Sequence, residues 1–119
     1  MERYCLALDL KNDPDLIQQY IAHHREVWPE VLKSIRESGI SNMQIFRRGN
    51  RLYMIMEAED WFSFERKAAM DAANSTVQAW EELMSGFQQI LPATPLGEKW
   101  VLMDRIFDLE ESLQAQETA

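Results

Sequence analysis

Tyr4, Leu6, Leu8 and Leu10 alternate with Cys5, Ala7 and Asp9, the two-residue period of a β-strand. Asn12-Asp13-Pro14 ends the run, and Asp13 makes a good helix N-cap with proline at the first helical position. From there to Glu37 the spacing is helical, with Leu16, Tyr20, Val27 and Val31 four or seven apart. Pro29 removes a backbone donor and crowds the preceding turn, which predicts a kink or a break near Trp28. Ser38-Gly39 reads as the stop. Residues 40–47 read as a second strand, Arg48-Gly49-Asn50 as a turn, and Leu52, Met54 and Met56 alternate with Tyr53, Ile55 and Glu57 in a third. The short loop predicts a hairpin. A helix is predicted from Asp60 to about Ala73, and a second, capped by Asn74 or Ser75, to about Ile90. After a loop over residues 92–97, Trp100, Leu102, Asp104 and Ile106 alternate with Val101, Met103, Arg105 and Phe107 in a last strand. Residues 110–119 are polar and are expected to fray.

The predicted order is β-α-β-β-α-α-β. Its simplest closed solution is an α+β, ferredoxin-like split βαβ sheet with helices on one face. Residues 1–109 form one domain in this reading, with 110–119 as a C-terminal tail. The last strand is apolar on both sides, and no segment remains to cover the open face of the sheet. A second copy of the chain is the natural cover, so a face-to-face homodimer is expected.

Composition narrows the partners. The chain has 119 residues, is 46% apolar and has four Gly and four Pro, a globular composition of single-domain size. The net charge of −8 argues against nucleic acid and against anionic membranes, since both demand positive surface. Cys5 stands alone, so it can form neither an internal disulfide nor a metal site, and an inert buried thiol is expected. The N-terminal apolar run over residues 4–10 is far shorter than the ~20 residues of a spanning helix and resembles no export signal. A soluble cytoplasmic protein is the expectation.

The standard catalytic motifs are absent: no phosphate-binding Gly loop, no GxSxG, no CxxC, no HExxH. His23 and His24 are neighbours, so on a helix they point about 100° apart and do not suit one metal ion. Tyr20 and His24, four residues apart, lie on one helix face, and Trp28 continues that line if the helix persists. A phenol, an imidazole and an indole on one stripe place a proton donor and acceptor beside aromatic surface. Sugar pockets use that combination, because ring faces stack on aromatic faces while polar tips bind hydroxyls. Spacing alone favours the plainer reading, with Tyr20, Trp28 and Trp80 as core and His24 as an ordinary helix residue. Glu57, Glu59 and Asp60 read as a solvated strand end, and Lys99 and Arg105 as surface or ion-pair groups.

Tyr20-x-x-x-His24-x-x-x-Trp28-Pro29-Glu30 is similar to the segment that marks L-rhamnose mutarotases, and the likeness continues through Leu32-Lys33-Ser34, Gly39, Met54-Ile55-Met56-Glu57 and the Trp80 helix. It covers roughly residues 3–108. The resemblance implies a ferredoxin-like homodimer without cofactor or metal, with His24 as the catalytic residue and Tyr20 and Trp80 at the sugar. Two positions depart from the rhamnose pattern: Met43 stands in place of a tyrosine, and Glu81 in place of the second tryptophan of a pair. Trp100-Val101-Leu102-Met103 looks closer to a branch associated with L-fucose. The implied reaction interconverts the α and β anomers of a 6-deoxy-L-hexose. A dimeric ferredoxin-like monooxygenase and a non-catalytic sugar-binding module are the alternatives.

Overall fold

The computed structural model describes residues 1–118. The elements run β1 (Glu2–Leu10), α1 (Pro14–Arg25), α2 (Pro29–Glu37), β2 (Ile40–Arg48), β3 (Arg51–Ala58), α3 (Phe64–Ala72), α4 (Ser75–Ser85), β4 (Gln88–Gln89), β5 (Val101–Leu102) and α5 (Leu109–Thr118). The sheet is antiparallel in the order β2-β3-β1-β4, with β5 also on β1. Two short pieces thus share the fourth-strand place of a ferredoxin-like sheet, and β1 lies at its centre.

Local chemistry explains the ends. The Asp13 carboxylate accepts from the backbone N–H groups of Asp15 and Leu16, and the Asn74 side chain from those of Thr76 and Val77. The long helical stretch breaks as expected. α1 ends at Arg25, Trp28 takes an extended ψ of 131°, and Pro29 opens α2. Gly39 leaves α2 at φ 104°, a backbone region closed to side chains with a Cβ. Leu6, Leu8, Leu10, Leu52, Met54 and Met56 turn one sheet face toward the helices and are buried there. Ile17, Tyr20, Val31, Trp80, Met84 and Phe87 complete the core.

Four expectations need correction. α3 starts at Phe64 rather than Asp60, because Ser63 is the cap, its hydroxyl accepting from the N–H of Arg66. α4 stops at Ser85 instead of running to Ile90, and Gln88–Gln89 turns into the sheet opposite Leu10 and Asp9. The last strand is Val101–Leu102 alone. Past the bond from the Met103 N–H to the Cys5 carbonyl (2.8 Å), residues 104–108 leave the sheet. Leu109–Thr118 of the tail are helical rather than frayed, with the Asp108 carboxylate accepting from the Glu111 N–H at the start, and Ala119 lies outside the described residues. This arm leaves Leu102, Met103, Ile106, Phe107, Leu109 and Leu113 exposed. It also stretches the molecule to 52 × 31 × 28 Å, with a radius of gyration of 16.2 Å against about 13.5 Å for a compact chain of this length. Among the described residues no helix is long and apolar enough to cross a membrane.

Candidate functional site

Between the inner sheet face and helices α1 to α4 lies a cleft of about 960 Å³, within the usual range for small-molecule sites. Its floor is the alternating inner row of the sheet: Leu6 of β1, Met43 and Ile45 of β2, Met54 and Met56 of β3. Its polar groups include Tyr20 and His24 of α1, Lys67 and Asp71 of α3, Glu81 of α4, and Gln88 of β4. Trp80 and Trp100 add aromatic surface.

The i,i+4 spacing on α1 brings the rings of Tyr20 and His24 together with centroids 4.4 Å apart, and His24 and Trp80 meet in a T-shaped contact with centroids 5.6 Å apart. His24 Nδ1 is 2.9 Å from the carbonyl oxygen of Tyr20. A carbonyl can only accept, so Nδ1 carries the hydrogen, and in the neutral ring Nε2 keeps its lone pair. Burial pushes the His24 pKa below the ordinary imidazole value; the Tyr20 carbonyl partly opposes this and the charge of His23 adds to it. The free base is therefore the resting form at neutral pH. Tyr20 is buried, and that burial raises its phenol pKa against a donated bond from Gln88, so it stays protonated. The site pairs a base with a proton donor on one helix face, lined by aromatic and thioether surface. Such a pair can take a proton from one oxygen while another is supplied.

A family model for L-rhamnose mutarotase matches residues 3–109. This chain belongs to that family. An L-fucose mutarotase from Xanthomonas campestris pv. campestris is 46% identical over 98% of this chain and 95% of the relative. The crystal structure of an L-rhamnose mutarotase from Formosa agariphila superposes with a TM-score of 0.67 at 21% identity, covering 92% of this chain and 99% of that one. Tetracenomycin F2 cyclase from Streptomyces glaucescens gives a TM-score of 0.63 at 15% identity, over 91% and 96%. At such identities the two structures speak for the ferredoxin-like fold and nothing further.

Tyr20, His24, Met43, Trp80 and Glu81 all line this family member's cleft. Trp28 does not: with α1 ended at Arg25 the helical line is broken, and its ring packs edge-on against Trp80 at 5.2 Å. His23 turns toward Phe87, 5.4 Å between ring centroids, as its offset on the helix requires. The Glu81 carboxylate is held by Lys99, whose ammonium donates to Oε2 (3.2 Å) and to the Glu81 carbonyl (3.0 Å). Lys67 and Asp71, an i,i+4 ion pair at 2.5 Å on α3, and Gln88 were missed from sequence. The Lys67–Asp71 spacing is visible in the chain. Gln88 carried no signal because it was read inside a helix. Among the described residues no three His, Cys, Asp or Glu side chains gather as a metal site.

Proposed function

We propose that the protein is a mutarotase interconverting the α and β anomers of a 6-deoxy-L-hexose, L-fucose ahead of L-rhamnose. The observation that carries the reading is His24: its Nδ1–H is committed to the Tyr20 carbonyl, so a neutral Nε2 base is available in an aromatic cleft beside a phenol. In the forward step His24 Nε2 removes the proton of the anomeric hydroxyl as the C1–O5 bond breaks. Tyr20, or a water it holds, protonates O5. The open aldehyde rotates about C1–C2. O5 then attacks the other face of the aldehyde, returning its proton to Tyr20 or the water it holds, and the protonated imidazole returns a proton to O1. Nothing is consumed, and no cofactor or metal enters the balance.

The Trp80 ring suits a C–H-rich sugar face, and the methionine floor suits the C6 methyl group. Met43 and Glu81 both border the site, and the likeness to the Xanthomonas L-fucose mutarotase favours L-fucose. We assign a homodimer built on the open sheet face and the C-terminal arm, supported by exposed Phe46 on the outer face and by exposed Ile106, Phe107 and Leu109. The lone free thiol, Cys5, suits the reducing cytoplasm.

The test is anomer exchange measured by NMR saturation transfer on L-fucose, L-rhamnose and D-glucose, with and without protein. Acceleration is expected on the 6-deoxy sugars, fastest on L-fucose. Uncatalysed rates on all three would overturn the mutarotase reading, and faster exchange on L-rhamnose would overturn the preference.

A further inference from the structure

Gln88 owes its position to β4, where its backbone lies opposite Leu10 while Gln89 beside it is exposed. The side chain is only 9% exposed and borders the cleft. Its Nε2 lies 3.4 Å from the Tyr20 phenol oxygen. Its Oε1 is buried and has no hydrogen-bond partner among the described residues. Buried amide oxygens are nearly always paired, because an unpaired acceptor loses its water and gains nothing.

We infer that Gln88 is a substrate-binding residue whose Oε1 accepts a hydrogen bond from a hydroxyl of the bound sugar. This rests on the reading of the cleft as a sugar site. The same amide has a second effect. By donating to the Tyr20 oxygen, Nε2 occupies a lone pair there and leaves the phenol proton free to point into the cleft. Gln88 therefore recognises one hydroxyl and orients the proton donor of Tyr20 with its two ends. A site that pairs a substrate hydroxyl with a buried acceptor rejects analogues lacking that hydroxyl, because the acceptor is again left bare.

The test combines calorimetric binding and NMR anomer exchange for the wild-type protein and Gln88→Leu, using L-fucose and its 2-, 3- and 4-deoxy analogues. Wild type should bind one analogue roughly tenfold more weakly than L-fucose. Gln88→Leu should bind L-fucose weaker by a similar factor and no longer distinguish that analogue, the non-additivity of two groups in contact. KM should rise through the lost Oε1 contact, and kcat should fall as well, because the Tyr20 phenol loses the amide that orients its proton. Unchanged L-fucose affinity in Gln88→Leu, with wild-type discrimination among the analogues intact, would overturn the assignment. So would a Gln88 side-chain amide resonance in wild type that does not shift on adding L-fucose, a measurement independent of whether the variant folds. Wild-type binding without anomer exchange would sink the mutarotase reading and leave the Gln88 site standing. No binding of any of these sugars would overturn both.

Discussion

Replacing His24 with alanine should cost catalysis far more than stability, and the structure sets both magnitudes. The Tyr20 carbonyl accepts the His24 side-chain bond in addition to its place in the α-helical ladder, so removing the imidazole orphans no backbone group. One neutral hydrogen bond is worth about 1 kcal/mol, and the half-buried ring adds a few contacts to Tyr20 and Trp80. The fold should therefore survive. General acid–base catalysis contributes roughly 10²–10⁴ in rate, or about 2.7–5.4 kcal/mol of barrier at about 1.36 kcal/mol per tenfold. Anomer exchange on L-fucose, followed by NMR saturation transfer from about pH 5 to about pH 9, reads both the loss and its cause. The active form is the neutral ring, and burial holds its pKa below the ordinary value. Wild-type kcat/KM should thus be level through neutrality and fall only below about pH 6.5. That acid limb should be absent from the residual activity of the variant. His23→Ala, whose ring faces Phe87, should retain the wild-type rate near neutrality, its acid limb moving slightly upward as the His23 charge that helps depress the His24 pKa is lost. The same depressed pKa makes its share of stability fully present above the unfolded-state pKa and lost as pH falls through the folded one. A folded His24→Ala protein with near-wild-type exchange, or with an unchanged acid limb, would refute the assignment.

Tyr20→Phe removes a phenol whose bond to Gln88 is long at 3.4 Å, so unfolding should shift by no more than about 1.5 kcal/mol while turnover on L-fucose drops. An unaltered rate would remove Tyr20 from the chemistry. Gly39→Ala forces a Cβ onto φ 104° and within 2.9 Å of the Trp61 ring, and should cost about 1–3 kcal/mol in denaturant melts. An unchanged midpoint would show that the turn relaxes freely. Light scattering at micromolar concentration should report about twice the 14.0 kDa chain mass, and a clean monomer would contradict the sheet-face dimer.

The legible parts of the chain were those where local chemistry and tertiary packing agree. Asp13-Pro14 and Ser38-Gly39 fix their helix ends through their own caps and dihedrals, and the hairpin around Gly49 is set by its turn. Pro29 foretold the break that takes Trp28 off the Tyr20–His24 stripe. Where the sequence misled, the deciding forces were not local. The alternation from Trp100 to Phe107 continues past Leu102, yet residues 104–108 leave the sheet with apolar side chains exposed. Period alone does not say which strand residues find a partner. A two-residue strand such as β4 has no period at all, so Gln88 vanished into a helix and its place on the cleft went unseen. Tyr20 and His24 were legible because four residues on one helix suffice to join them. Lys67, Met54 and Trp100 meet them only through the tertiary fold.

The central place of β1 bears on how the molecule assembles. Among the described residues only the β2–β3 hairpin closes over a short loop, with Arg48 opposite Arg51. Each border of β1 instead joins distant parts of the chain: Glu2 faces Ala58 on one side, and Leu6 faces Leu102 on the other. Such non-local pairings close large loops and are slow to form. During synthesis, β1 and the α1 helix with His24 leave the ribosome before β3, and the other border of the strand must wait for residues near 88 and 102. β1 is thus fully paired only late, and the cleft it floors is completed only once residues near 102 have been made.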